Sequence, residues 1–136
     1  MKYFMYLDDD VFNATKERDP YVYYEFLGKK EMITKMESFD EIVLVSSVED
    51  AMKEIESKGC PSFISFDNDL QRPLEGIHLA HWLAEKDMDT PGFIPSDFDF
   101  AVHSQNNIAA GRIVSYLEAY LKQRQPVDVV RKVNKP

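Results

Sequence analysis

Short apolar runs that stop abruptly at polar residues alternate along this chain with segments of helical periodicity. This alternation constrains the fold most, because a continuous apolar run of five to seven residues is typical of a strand covered on both faces. Five such runs predict strands at 2–7, 42–46, 62–66, 98–102 and 127–133. Strands that alternate with helices predict an α/β sandwich with a mainly parallel sheet. The flavodoxin-like strand order 2-1-3-4-5 fits this pattern.

Helix-capping signals mark the segments between the strands. Ser47 is followed by an acid at Asp50, and Gly59 ends the apolar pattern, so a helix is predicted between Ser47 and Gly59. The other patterns of helical spacing predict helices near 30–38, from Glu75 to about Asp87, and from Asn106 to about Arg124. The aromatic segment 21–27 is compatible with a strand, a helix or a lid.

Length and composition limit the classes of protein to be considered. The 136 residues predict a single domain over 1–136. No apolar run approaches the roughly 20 residues that span a membrane, and the N-terminus does not resemble a signal peptide, so we expect a cytoplasmic protein. The net charge of −8, without a basic stripe, argues against binding to duplex DNA. With Cys60 as the one cysteine, an internal disulfide is excluded.

Acidic residues follow two of the predicted strands. Asp8 and Asp9 come directly after the first strand, and Asp67 and Asp69 come after the third. In a sheet of order 2-1-3-4-5 these strands are neighbours, and ligands bind beyond their carboxyl ends. A single Asp there more often serves as a turn residue or a helix cap. Acids at the ends of two adjacent strands instead predict a site for Mg²⁺ or Mn²⁺, because carboxylates gathered together repel one another unless a cation bridges them.

The fourth predicted strand ends in a second polar group. His103 is a candidate general acid or base, since histidine titrates near neutral pH. Ser104, Asn106 and Arg112 are candidates for holding a phosphate at the start of the helix that follows. Taken singly, each of these residues is better explained as a cap or a surface group. Their position next to the acidic cluster makes the functional role an equal alternative.

The remaining candidate residues favour structural roles. His78 and His81 are three residues apart on one predicted helix but have no third ligand nearby in the sequence. Cys60 precedes a proline in a connecting loop, so a Cys–His nucleophilic pair is not expected.

Four short motifs, in order, resemble those of the cyclic-phosphate processing receiver-like family, a branch of the response-regulator receiver fold. They are Leu7-Asp8-Asp9, Ser65-Phe66-Asp67-Asn68-Asp69-Leu70, Gly76 with Trp82-Leu83, and His103-Ser104-Gln105-Asn106. The resemblance implies a receiver fold, with Asp8 and Asp9 as the acidic metal-binding pair and Asp67 at the phospho-acceptor position. It also places Ser104 at the small hydroxyl position after the fourth strand. Asn68 departs from the family, which often has His there, and 11–40 is longer than usual.

Two functions are compatible with these residues. The first is a metal-dependent phosphoesterase that processes cyclic phosphates of nucleotides or RNA ends. In it Asp8, Asp9, Asp67 and Asp69 would surround Mg²⁺ or Mn²⁺, and His103 would move a proton. The second is a receiver-like module without catalysis, which accepts a phosphoryl group on Asp67 or binds a cyclic nucleotide. His103 favours the first, because a phospho-acceptor needs no histidine there.

Overall fold

The computed structural model describes residues 2–9, 20–103 and 106–124. Four parallel strands form one sheet in the order β2-β1-β3-β4. Their bounds are Tyr3–Leu7 for β1, Glu41–Val45 for β2, Phe63–Phe66 for β3 and Asp99–Val102 for β4. All four predicted positions within the described residues are therefore confirmed to within two residues. The sheet has this four-strand order in place of the predicted 2-1-3-4-5, and the fifth strand predicted at 127–133 lies outside the described residues.

Five helices accompany the sheet in the described part of the chain. They are α1 (Pro20–Phe26), α2 (Lys30–Glu37), α3 (Val48–Lys58), α4 (Gly76–Asp89) and α5 (Asn107–Gln123). The aromatic segment 21–27, which the sequence left open, is thus mostly helix α1. No helix in these ranges is long and apolar enough to cross a membrane.

Strands β1 and β3 are buried along their whole length because helices cover both faces of the sheet. Met5 and Leu7 of β1 point into a core shared with α3, α4 and α5. Phe4 and Tyr6, which alternate with them, point into a second core that includes Tyr24 of α1 and residues of α2. This two-sided burial explains why β1 reads as a continuous apolar run.

Side-chain caps start two of the helices where the sequence predicts them. The Ser47 hydroxyl accepts a hydrogen bond of 3.1 Å from the Asp50 amide at the start of α3. Gly59 follows the last turn with φ at 88°, a conformation that glycine adopts without strain. The Asn106 side chain accepts a bond of 3.1 Å from the Ala109 amide and caps α5. Both caps fix helix starts at the carboxyl-end edge of the sheet.

Candidate functional site

Three polar residues meet at the carboxyl ends of β1, β3 and β4. Asp8, Asp67 and His103 each extend the parallel ladder by one residue, through backbone bonds to Val45 (3.0 Å), Leu7 (3.0 Å) and Phe66 (2.8 Å) respectively. One carboxylate oxygen from each acid and one ring nitrogen of the histidine all lie within 4.8 Å of one another. The exposed fractions are 0% for Asp8, 7% for Asp67 and 6% for His103. These residues form a compact, buried cluster of the kind that can hold a cation.

Hydrogen bonds fix the orientation of the His103 ring. Its Nε2 lies 3.2 Å from Oδ2 of Asp8, and its Nδ1 lies 2.7 Å from the hydroxyl of Ser65 on β3. The Ser65 hydroxyl in turn lies 2.6 Å from that of Tyr24 on α1. Four buried side chains therefore form one continuous chain of hydrogen bonds, from α1 through the sheet to the acidic cluster.

Two further tyrosines enclose the same ring. Tyr6 stacks on His103 with ring centroids 4.4 Å apart and planes 6° from parallel. Tyr23 of α1 meets it edge-on at 5.6 Å and donates a bond of 3.3 Å to the His103 carbonyl oxygen. The sequence did not predict these aromatic partners. Pro20 was the signal in the sequence that could have predicted them. Proline is favoured in the first turn of a helix, and a helix that begins there carries both Tyr23 and Tyr24.

The loop after Asp67 is tied to the first turn of α4. The backbone oxygen of Asn68 accepts from the Gly76 amide (3.1 Å), and the side-chain oxygen of Asn68 accepts from the Ile77 amide (3.1 Å). A Cβ on Gly76 would lie 2.3 Å from the backbone oxygen of Asp67. The glycine is therefore required by close approach of the helix to the site loop, and Asn68 has a structural role in holding them together.

Gly76→Ala should lower the free energy of unfolding by about 1–3 kcal/mol, the usual cost of forcing extra volume into a packed interior. The added methyl group must push the Asp67 backbone away, so the cluster should also lose its geometry. Urea denaturation measures the first effect. Gly111→Ala is the matched control, because nothing lies within 4 Å of a Cβ at that exposed position in α5. Its expected effect is slightly stabilising, and an equal loss from both variants would contradict the close-contact argument.

The remaining site residues predicted from the sequence are Asp9, Asp69, Ser104, Asn106 and Arg112. Asp9 is half-buried and Asp69 is exposed, and neither belongs to the three-residue cluster. Asn106 caps α5, and the exposed Arg112 lines an open groove of about 770 Å³ between α4 and α5. Ser104 lies outside the described residues. The metal-binding role of Asp9 and Asp69 and the phosphate-binding role of Ser104, Asn106 and Arg112 stay predictions.

The residues assigned structural roles have structural partners. The Nδ1 of His78 accepts a bond of 2.8 Å from the Glu75 amide at the start of α4. The His81 ring meets that of Tyr116 edge-on at 4.3 Å. Burial, and then the charge of Asp87, raises the pKa of the Cys60 thiol to about 12. A thiol with so high a pKa carries little thiolate at neutral pH, which agrees with a structural role.

The fold and the acidic cluster define a parallel α/β domain with a polar site at the carboxyl ends of its strands, and a comparison with protein families gives the class as a receiver domain. The model of the cyclic-phosphate processing receiver domain matches residues 3–119. The chain therefore belongs to that family. The comparison with curated proteins gives no match.

Solved structures of receiver domains are also similar. One is described as the MaeR response regulator bound to beryllium trifluoride; it shares 18% identity, covers 97% of this chain and 93% of its own, and has a TM-score of 0.49. A CheY-like receiver domain protein from Methanospirillum hungatei JF-1 shares 17% identity over 98% and 90% of the two chains, with a TM-score of 0.49. The receiver domain of a putative Luxo repressor protein from Vibrio parahaemolyticus shares 17% identity over 99% and 98%, with a TM-score of 0.43.

Proposed function

We propose that this protein is a metal-dependent phosphoesterase that opens cyclic phosphates of nucleotides or RNA ends. The observation that carries the proposal is the buried cluster of Asp8, Asp67 and His103, which unites two carboxylates with one imidazole nitrogen. Membership of the cyclic-phosphate processing receiver family supports the substrate class. A small phosphorylated molecule is therefore the proposed partner.

The donor set fits a hard divalent cation. Asp8 and Asp67 are both nearly buried, and two carboxylates that share so small a space repel each other unless a proton or a cation lies between them. Mg²⁺ and Mn²⁺ are held in proteins by one or two carboxylates, with water and phosphate oxygens completing the shell. A cation held there would draw negative charge from a phosphate oxygen. Asp9, the next residue after Asp8, is the further ligand proposed from the sequence.

His103 is proposed to move the proton that the reaction requires. Hydrolysis of a cyclic phosphate forms one P–O bond to water, breaks one ring P–O bond and leaves a proton on the released oxygen. An alkoxide is a poor leaving group at neutral pH, so a proton donor beside it accelerates the step. The Nε2 of His103 is the ring nitrogen that faces Asp8 and the cluster. Ser104, Asn106 and Arg112 are proposed to hold the phosphate.

Asp67→Asn should weaken Mn²⁺ binding by more than about 100-fold, because even changes to residues that only support a ligand cost about 10–100-fold. Titration calorimetry on the metal-free protein measures this change. Asp89→Asn, at the exposed end of α4, removes the same charge away from the cluster and should leave the affinity unchanged. Equal affinity for Asp67→Asn and the natural chain would contradict the metal site.

A substrate screen tests the activity itself. The protein is incubated with 2′,3′- and 3′,5′-cyclic nucleotides in the presence of Mg²⁺ or Mn²⁺, and the products are separated by chromatography. The expected product is a linear monophosphate that forms with the natural chain and not with Asp67→Asn. Tight binding of a cyclic nucleotide without cleavage would contradict the phosphoesterase and favour the binding module instead.

A further inference from the structure

Helix α1 contributes two tyrosines to the surroundings of His103, although Tyr23 and His103 are 80 residues apart in the sequence. Tyr24 and Ser65, which are 41 residues apart, are joined by a hydrogen bond of 2.6 Å. Ser65 and His103, 38 residues apart, are joined by one of 2.7 Å. Tyr24 is 3% exposed and Ser65 is fully buried. Because both hydroxyls are inside the protein, the direction of each hydrogen bond is constrained by what partners are available.

The Tyr24 hydroxyl acts as the donor at the start of this chain. Within the described residues, the Tyr24 hydroxyl forms its hydrogen bond with Ser65. A buried hydroxyl hydrogen without an acceptor costs about 1–3 kcal/mol, so the Tyr24 hydrogen points to Ser65 Oγ. Burial also raises the pKa of the phenol to about 12, against a smaller opposing effect of Ser65, so the hydrogen is present at neutral pH.

Ser65 passes the same direction on to the histidine. Its oxygen accepts from Tyr24, so its own hydrogen is available for Nδ1 of His103 at 2.7 Å. Nδ1 then acts as an acceptor through its lone pair. A neutral imidazole has one protonated nitrogen, and with Nδ1 accepting, that nitrogen is Nε2. Nε2 lies 3.2 Å from Asp8 Oδ2, which can accept its hydrogen.

We propose that Tyr24 and Ser65 are positioning residues that keep the proton of the neutral His103 ring on Nε2, facing Asp8 and Asp67. For its catalytic meaning this inference rests on the proposed function, since an Nε2–H that faces the site can hydrogen-bond the leaving oxygen as negative charge develops on it. Full transfer of that proton requires the ring to carry a second proton on Nδ1. Tyr6 and Tyr23 hold the ring plane, which keeps the two nitrogens from exchanging places. Helix α1 therefore supports the site through Tyr23 and Tyr24.

Nitrogen NMR of the histidine side chains tests the inference directly. The metal-free protein is labelled with ¹⁵N in its imidazole rings, and spectra are recorded at increasing pH until the His103 signals are those of a neutral ring with one protonated nitrogen. The His103 signals are assigned by their loss in His103→Asn. The expected result is an unprotonated Nδ1 and a protonated Nε2. His78 is an internal reference, because its Nδ1 accepts from a backbone amide that can only donate.

Two variants and one control complete the test. Ser65→Ala and Tyr24→Phe should each shift the ratio of the two His103 tautomers towards the Nδ1-protonated form by about two- to twelve-fold, the equivalent of one net hydrogen bond. Tyr3→Phe is the control, because it removes another tyrosine hydroxyl. That hydroxyl donates a hydrogen bond of 2.6 Å to the Gly59 oxygen near the opposite end of β1. It should leave the His103 signals unchanged. A proton on Nδ1 in the natural chain, or unchanged signals in both variants, would overturn the inference.

Kinetics separates this inference from the proposed function. Where a cyclic phosphate is turned over, Ser65→Ala and Tyr24→Phe should lower kcat and leave KM unchanged, because substrate binding does not use the Nε2 proton. The expected tautomer without turnover of any cyclic nucleotide would overturn the phosphoesterase and support the positioning role. Turnover combined with a proton on Nδ1 would support the phosphoesterase and overturn the positioning role of Tyr24 and Ser65.

Discussion

We expect His103→Ala to lower the turnover of a cyclic phosphate by about 10²- to 10⁴-fold, the usual contribution of a positioned proton donor. It should leave Mn²⁺ affinity within a few-fold of the natural value. The reason is that the variant keeps both carboxylates of the cluster, while the leaving alkoxide must take its proton from water. Steady-state kinetics and titration calorimetry on the same preparation measure the two quantities.

The leaving group provides the control for this prediction. A nitrophenyl phosphodiester releases a phenolate that needs little protonation, so the loss caused by His103→Ala should be much smaller on that substrate. An undiminished turnover of cyclic phosphates would remove His103 from the reaction. A fall of more than about 100-fold in Mn²⁺ affinity would contradict the proton role and make Nε2 a third ligand, an arrangement that the 4.8 Å cluster also permits.

We expect Asp87→Ala to lower the free energy of unfolding by about 3 kcal/mol, because it leaves buried donors without their acceptor. The Asp87 carboxylate accepts hydrogen bonds from the Ile94 amide (2.9 Å), the Tyr120 hydroxyl (2.7 Å) and the Arg124 guanidinium (3.1 Å). These bonds tie α4, the loop after it and α5 together. The Arg124 side chain remains 19% exposed. The expected loss of stability is therefore at the lower end of the range for breaking a buried ion pair.

The same carboxylate makes the stability depend on pH. Burial raises the pKa of Asp87, but the bonds from Ile94, Tyr120 and Arg124 together outweigh that effect and hold the pKa below its usual value. Its contribution is therefore fully present above the unfolded pKa of about 3.9 and is lost as the pH falls through the lower folded value.

Urea titrations of the natural chain and Asp87→Ala at pH 7 and near pH 3 measure the difference, which should shrink at the lower pH. Asp89 is exposed and lies two residues further along the chain, so Asp89→Ala should change the free energy of unfolding by less than about 0.5 kcal/mol at both pH values. A difference between Asp87→Ala and the natural chain that is independent of pH would contradict the role of the ionised carboxylate.

Much of the fold could be predicted because its signals are local. Continuous apolar runs gave four strands, and the Ser47 and Asn106 caps placed the starts of α3 and α5. The order of β1, β3 and β4 followed from the preference of such sheets for one topology, and it brought Asp8, Asp67 and His103 to one edge. Helix α1 was less predictable, since an aromatic run such as 21–27 packs equally well as a strand or a helix.

The sequence by itself determined which residues lie at the strand ends, because each apolar run ends where the strand leaves the buried interior of the protein. It did not determine how His103 is held. The alternation of side chains along β3 puts Ser65 on the face opposite Ile64 and Phe66, but nothing in that pattern says which helix covers that face. Only the tertiary structure decided that α1 covers it and brings the Tyr24 hydroxyl to 2.6 Å from Ser65. The physical reason is that a hydrogen bond between distant residues depends on how whole elements pack, whereas a cap or a strand depends on its immediate neighbours.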